Sequence, residues 1–210
     1  MLLFRIVWKV SLIFLFISIL GFVNSVQAKE DYKINDSLQA TEFAEAVIEF
    51  NDNRQRPFII VDKKQAKLYV FDSNGFLLGK APVLLGMAVG DDLPIEIARL
   101  PLSQIKQSYR ITPAGRYIAE IGRDTHGKDV LWVDFSGNLA IHPVISVPKQ
   151  NRLERLTSQT IEDNRISWGC INVPKMFFKK YILKSFMRTK GIVYILPEVK
   201  SIKDYLWFEK

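Results

Sequence analysis

The residues best suited to chemistry are a single cysteine, Cys170, and a histidine, His142, which lies 28 positions upstream at the end of an apolar run. A cysteine thiolate is a strong nucleophile, and imidazole is the side chain that most readily takes a proton near neutral pH. Cys170 follows Gly169, which permits a tight turn and leaves room for a substrate. The amide groups of Gly169 and Cys170 are natural donors to a developing oxyanion. These residue types suit a cysteine nucleophile with a histidine base.

Two other interpretations of the pair remain open from the residues alone. An unpaired cysteine is often a small buried apolar residue or a point of cross-linking between chains. A histidine at the end of a strand is often a core residue with a satisfied hydrogen bond. One cysteine cannot form an internal disulfide, and together with two histidines it cannot supply the usual Cys/His ligand set, so a zinc site of that kind is excluded.

His142 and Cys170 lie in a part of the chain that is predicted to be mostly strands, because short runs of β-forming residues alternate with tight turns from Pro57 onward. The turns include 72–75, 112–115 and 136–138. The spacing predicts a mainly β fold, an antiparallel sandwich or barrel with one or two flanking helices. The predicted strands cover 58–61, 67–71, 76–78, 82–85, 116–120, 130–135, 139–142 and 191–196.

Two helices are predicted beside the strands. The first contains Phe43, Val47 and Phe50 on one face, with Asp36 or Ser37 as its N-cap, and packs on the main domain. The second covers 174–188 and places Pro174 at its first position.

Three further segments carry predictions. The 89–108 segment is predicted to be a long loop, and the polar 149–164 segment a surface flap that is partly helical. The second histidine, His126, is predicted to lie on the surface in a turn.

The N-terminus has the pattern of an export signal. Arg5 and Lys9 precede the apolar run 10–23, and small residues allow cleavage after Ala28. The alternative is an uncleaved membrane anchor, for which the run is short. Either way, the sequence predicts an exported protein of the periplasm or cell wall. If the segment is not cleaved, it is the one expected contact with a membrane.

The rest of the chain is divided by composition into an N-terminal helical extension (29–56), a catalytic domain (57–197) and a C-terminal tail that docks on it (198–210). The signal carries two of the 29 Lys and Arg residues and none of the 22 Asp and Glu residues, so the mature chain has a net charge of +5. This mild charge suits an anionic cell envelope. The basic residues form no tract with interleaved aromatics, so nucleic-acid binding is not expected. We expect a monomer.

The segment from about Pro57 to Pro197 resembles the catalytic domain of the L,D-transpeptidases, the YkuD-like cell-wall enzymes. Their signature is a histidine after a strand, a spacer, and then Ser or Thr followed by His-Gly-Cys, an apolar residue and often Asn. His142 and the SWGCIN segment, 167–172, resemble its two parts. The 61–71 segment is similar to the family's opening hairpin, and the TPAGRY segment, 112–117, to its Thr-Pro-x-Gly turn.

The resemblance implies a reaction on peptidoglycan stem peptides without metal or organic cofactor. Cys170 attacks the carbonyl between the third residue and the terminal D-alanine, and His142 acts as base and then as acid. An amine then resolves the thioester. If water does so instead, the enzyme is an L,D-carboxypeptidase. A third alternative is a non-catalytic peptidoglycan-binding module.

The chain departs from the family signature at three points. Trp168 stands where the family signature has its second histidine. We interpret this tryptophan either as a packing residue or as a surface on which the substrate rests. Pro143 replaces the small residue after the base, whose carbonyl orients the imidazole, and proline keeps that carbonyl. The spacer is about ten residues longer than usual, with the excess in 149–164.

Two positions follow the signature. Ser167 matches the hydroxyl residue, which steadies the loop or contacts the substrate. Asn172 matches the trailing Asn and is expected to satisfy backbone groups.

Overall fold

The computed structural model describes residues 40–204. The predictions for the signal segment, for the N-cap of the first helix and for the last six residues lie outside this range. Within residues 40–204, no helix is both long and apolar enough to cross a bilayer. The same part of the chain has no cluster of three His, Cys, Asp or Glu side chains that could hold a metal ion.

Ten strands and a few short helices make up the described chain. The strands are β1 (Phe58–Asp62), β2 (Lys67–Phe71), β3 (Leu77–Pro82), β4 (Leu85–Gly86), β5 (Gly115–Arg123), β6 (Asp129–Asp134), β7 (Leu139–Pro143), β8 (Arg165–Ser167), β9 (Ile171–Val173) and β10 (Gly191–Leu196). The helices are α1 (Ala40–Glu49), α2 (Ile95–Ala98), α3 (Arg152–Thr157), α4 (Lys175–Phe177) and α5 (Lys184–Phe186), with a π-helical turn, Phe178–Leu183, joining α4 to α5. Short 3₁₀ turns cover Leu102–Gln104, Gln107–Tyr109, Ile161–Asn164 and Ile202–Asp204.

Eight of the strands form one mixed sheet in the order β3-β2-β1-β10-β5-β6-β7-β9. Most neighbours are antiparallel, whereas β1 pairs with β10 and β7 pairs with β9 in parallel. Strands β4 and β8 form a separate parallel pair. The predicted mainly β fold with flanking helices is confirmed.

The centre of the sheet is buried on both faces. Every residue of β1 and β10 is buried, because α1 covers one face and the 175–186 helix covers the other. On the α1 side, Phe43 packs edge-on against Tyr194 with ring centroids 5.4 Å apart. Strands covered on both faces lack polar alternation, which explains the continuous apolar runs in the sequence.

The 149–164 segment is more than a surface flap. It contains α3 and a 3₁₀ turn, and two of its polar residues, Arg152 and Asn164, are buried. Asn164 Nδ2 donates hydrogen bonds to the carbonyl oxygens of Val83 and Arg155, at 3.1 and 3.2 Å. The bond to Val83 ties the segment to the connection between β3 and β4, and Arg152 Nη1 donates to Asn172 Oδ1 in β9 at 2.9 Å, so the segment is a fixed part of the fold.

Candidate active site

Cys170 lies in the three-residue connection between β8 and β9. Gly169 adopts φ +134°, a conformation that L side chains rarely adopt. A Cβ atom at this position would lie 2.8 Å from the Ile111 carbonyl oxygen. Glycine is therefore required before the cysteine, both for its backbone conformation and for the close approach of the neighbouring chain.

Thr112 fixes the peptide plane that precedes Cys170. Its buried hydroxyl donates to the Gly169 carbonyl oxygen at 2.8 Å and accepts the Gly86 N–H at 2.9 Å. Because a trans peptide is planar, a carbonyl held toward Thr112 directs the Cys170 N–H to the opposite side. Gly169 donates its own N–H to the hydroxyl of Ser167, which is buried. The Gly169 amide is thus occupied, and the Cys170 amide is the one left to face a substrate.

The sulfur of Cys170 is partly exposed and lies among backbone groups. The thiol donates to the Asn138 carbonyl oxygen at 3.4 Å. Burial raises the pKa of the Cys170 thiol, and the amides of Ala140 and Cys170 and the charge of Arg152 offset this rise only in part. The resting group is therefore a thiol, and the two nearby amides favour its thiolate form only in part.

His142 lies near the end of β7, opposite Asn172 of β9 in the parallel register. Its Nδ1 is 2.9 Å from the Pro143 carbonyl oxygen. A carbonyl can only accept, so Nδ1 carries the proton and Nε2 has a free lone pair. Burial lowers the pKa of His142, the Pro143 carbonyl raises it in part, and Arg152 lowers it further. The imidazole is thus neutral and its basic nitrogen is Nε2.

The Asn172 side chain contacts both members of the pair. Its Nδ2 lies 3.2 Å from His142 Nε2 and 3.4 Å from the Cys170 carbonyl oxygen, while its Oδ1 accepts from Arg152 Nη1 at 2.9 Å. Its backbone pairs with Leu84, with both hydrogen bonds at 2.9 Å. Within residues 40–204, no hydrogen bond joins His142 to Cys170 directly, so Asn172 occupies the basic nitrogen at rest.

Trp168 is half-buried beside Cys170. The Arg110 guanidinium stacks on its ring, with the carbon of the guanidinium 3.6 Å from the ring centroid. Arg110 is held in turn by a hydrogen bond from its Nε to the Ile105 carbonyl oxygen, at 3.1 Å. A cation stacked on an indole is a favourable contact, so the tryptophan is packed on one face by this arginine. His126 lies apart in the exposed turn between β5 and β6.

The structure thus brings together the candidate residues 142, 143, 167, 168, 169, 170 and 172, and it adds residues that the sequence did not single out. Thr112 belonged to a recognised turn, but its contact with Gly169 had no sequence signal. The amide of Ala140 faces the sulfur only because β7 and β9 are neighbours. Arg152 lies in a polar run that shows no catalytic pattern.

No protein-family model matches the chain, and no curated protein matches it. Three solved structures are similar to it. The L,D-transpeptidase LdtMt1 in complex with imipenem is 16% identical, with a TM-score of 0.39 over 67% of this chain and 58% of that one. A variant of the helical cell shape determining protein Pgp2 from Campylobacter jejuni is 14% identical, with a TM-score of 0.43 over 77% of this chain and 56% of that one.

The third is a fused Zn-dependent amidase/peptidase/peptidoglycan-binding domain-containing protein from Clostridium acetobutylicum. It is 16% identical, with a TM-score of 0.36 over 77% of this chain and 66% of that one. The chain spans less than two thirds of the length of each of these structures. The first of them is named as an L,D-transpeptidase, the family whose signature the sequence motifs resemble.

Proposed function

We propose that this protein is an exported cysteine acyltransferase that acts on peptidoglycan stem peptides by L,D-transpeptidation. The observation that carries the proposal is the arrangement around the sulfur. The partly exposed Cys170 lies near the backbone amides of Ala140 and of its own residue, and a neutral imidazole with a fixed tautomer lies near the end of the adjacent strand. The order of these residues, with His142 followed 25 positions later by the SWGCIN segment (167–172), resembles the L,D-transpeptidase signature and supports the same reaction.

In the first step, the Cys170 sulfur attacks the carbonyl carbon between the third residue of the stem and its terminal D-alanine. The thiol proton moves to His142 Nε2, which exchanges its contact with the Asn172 amide for the thiol. Catalytic hydrogen bonds that are loose in a free enzyme often tighten when substrate binds. The N–H groups of Ala140 and Cys170 stabilise the negative charge on the substrate oxygen.

The tetrahedral intermediate then collapses to a thioester. His142 returns the proton to the departing amine, and D-alanine leaves. An amine from a second stem, a D-amino acid or an anchored protein attacks the thioester and releases Cys170. The three acceptors give a 3-3 cross-link, an exchanged stem and protein anchoring, respectively, and water would give an L,D-carboxypeptidase. The reaction takes place outside the cytoplasmic membrane, in the periplasm or cell wall.

The test is incubation of the mature protein with purified tetrapeptide muropeptides, with and without an added D-amino acid, followed by mass spectrometry. The expected products are cross-linked dimers and stems that carry the added D-amino acid, and Cys170→Ala should form neither. Loss of D-alanine without transfer would identify a hydrolase. Unchanged muropeptides, together with no carbapenem adduct on Cys170, would overturn the proposal in favour of a binding module.

A further inference from the structure

Arg152 is a buried guanidinium without a charge partner. It is 7% exposed, and its Nε and Nη1 donate to the neutral oxygens Gln150 Oε1 and Asn172 Oδ1, at 2.7 and 2.9 Å. No carboxylate of residues 40–204 forms an ion pair with it. A buried charge is costly unless an opposite charge compensates it. The described fold therefore holds an uncompensated cation, and at this position an anion would be bound favourably.

The charge lies beside the nucleophile. Arg152 reaches Asn172, whose amide contacts both His142 and the Cys170 carbonyl. Its charge also acts on the sulfur, lowering the pKa of the Cys170 thiol against the effect of burial. Among residues 40–204, the one sealed side-chain nitrogen or oxygen without a partner is Arg165 Nε. The second terminal nitrogen of Arg152, Nη2, forms no hydrogen bond within residues 40–204 and is not completely sealed from solvent.

Building on the proposed function, we propose that Arg152 binds the free carboxylate of the donor's terminal amino acid. A guanidinium binds a carboxylate through charge-assisted hydrogen bonds. In a tetrapeptide donor, this carboxylate belongs to the leaving D-alanine and is three bonds from the attacked carbonyl carbon. Holding the carboxylate at Arg152 would thus place the scissile carbonyl over Cys170. The site selects donors that end in a free carboxylate and discriminates against amidated or extended ones.

The first test compares alkylation of Cys170 by anionic iodoacetate and neutral iodoacetamide. The sulfur attacks the methylene carbon and iodide leaves in both cases. Both rate constants depend equally on the fraction of thiolate, so a change in this fraction does not alter their ratio. Cys170 is the only cysteine, so the signal comes from this site alone. In Arg152→Gln, the iodoacetate-to-iodoacetamide ratio should fall about tenfold, because the nearby guanidinium no longer attracts the negative charge of iodoacetate.

Two further variants control this test. Arg152→Lys should keep part of the ratio, because it retains the charge without the planar fork. Arg155→Gln should keep the wild-type ratio, because Arg155 lies in the same helix but donates to the carbonyl oxygens of Gln150 and Asp163. An unchanged ratio in Arg152→Gln would overturn the proposal.

A second test needs no variant and no turnover. N-acetyl-D-alanine should slow iodoacetamide modification of the wild-type protein, whereas the same concentration of N-acetyl-D-alanine amide should not. Equal protection by the two compounds would contradict carboxylate binding at Arg152. Carboxylate-selective protection without any change in muropeptides would instead reject acyl transfer and leave the binding site in place.

Discussion

At the residue scale, burial keeps both members of the candidate pair in their neutral forms. It raises the pKa of the Cys170 thiol and lowers the pKa of the His142 imidazole. The proton therefore stays on sulfur, and Nε2 of the imidazole accepts a hydrogen bond from Asn172. Under the proposed function, the thiol would become a nucleophile when a substrate binds. The substrate would displace the contact between the Asn172 amide and His142 Nε2, so that Nε2 can take the thiol proton.

The raised pKa of Cys170 predicts the pH dependence of its alkylation. In the folded protein, the rate of modification by iodoacetamide should keep rising with pH beyond the midpoint measured for the same chain unfolded in urea. By linkage, a thiol pKa that is higher in the folded state adds stability below the unfolded pKa, and this stability is lost as pH rises through the folded pKa. Stopped-time mass spectrometry of the alkylated protein measures both midpoints, and a folded midpoint below the unfolded one would show that the thiolate is already favoured at rest.

At the element scale, the connection between β8 and β9 depends on contacts with the segment around Thr112. The Thr112 hydroxyl holds the Gly169 carbonyl, and the Ile111 carbonyl lies where a side chain on residue 169 would begin. The direction of the Cys170 amide is thus set by a chain segment almost sixty residues earlier. Placement of the sulfur should be sensitive to any change that forces these two segments apart.

Gly169→Ala tests this dependence, with Gly127→Ala as the matched control. Both glycines have positive φ, but a Cβ atom at Gly127 would meet nothing within 4 Å. Gly127→Ala should therefore cost only about 1–2 kcal/mol of unfolding free energy, the usual penalty of a left-handed conformation. Gly169→Ala should cost more and should also slow alkylation of Cys170. Urea unfolding and alkylation rates measure the two effects, and equal costs with unchanged alkylation would show that the Ile111 contact is unimportant.

At the scale of the whole molecule, a buried charge cluster joins segments that are distant in the chain. Lys63 Nζ contacts Asp91 Oδ1 at 2.6 Å and Glu198 Oε1 at 3.5 Å, and it donates to the Thr112 carbonyl oxygen at 2.9 Å. Glu198 also pairs with Arg165, at the start of β8. The cluster therefore links the ends of β1 and β10 to the two segments that hold the Cys170 connection.

Asp91 is the anchor of this cluster. Burial alone would raise the pKa of Asp91, but hydrogen bonds from Lys63 and from the N–H groups of Lys200 and Glu198 lower it below the ordinary value. Its carboxylate thus stabilises the fold above the unfolded pKa, and this contribution is lost as pH falls through the folded pKa.

Lys63→Met should strongly destabilise the protein. The substitution leaves the buried Asp91 carboxylate without its cation, and breaking a buried pair in this way costs about 3–5 kcal/mol. The control is Lys190→Met, which removes a pair with Glu120 whose side chains are both more than half exposed. Such a surface pair contributes less than about 1 kcal/mol. Urea unfolding at neutral pH measures both, and similar costs for the two variants would mean that the cluster is not a stabilising centre.

The sequence alone determined the local features of this protein. Runs of β-branched and aromatic residues between tight turns predicted a mainly β fold, since side-chain periodicity and turn chemistry act over a few residues. The cysteine after a glycine and the histidine at a strand end could be selected as candidates by residue type and order. The apolar helix face around Phe43 and Val47 was likewise visible as a local pattern.

Only the tertiary structure decided which groups surround the candidates. Arg152 and Asn172 are 20 positions apart, and they meet because the 149–164 segment folds against β9. The parallel register of β7 and β9 brings the Ala140 amide to the sulfur and Asn172 to His142. Such contacts depend on how whole strands pair, and the residues concerned carry no local signal of their distant partners. The chemistry of each group was therefore readable from the chain, whereas the partners that tune it were settled by folding.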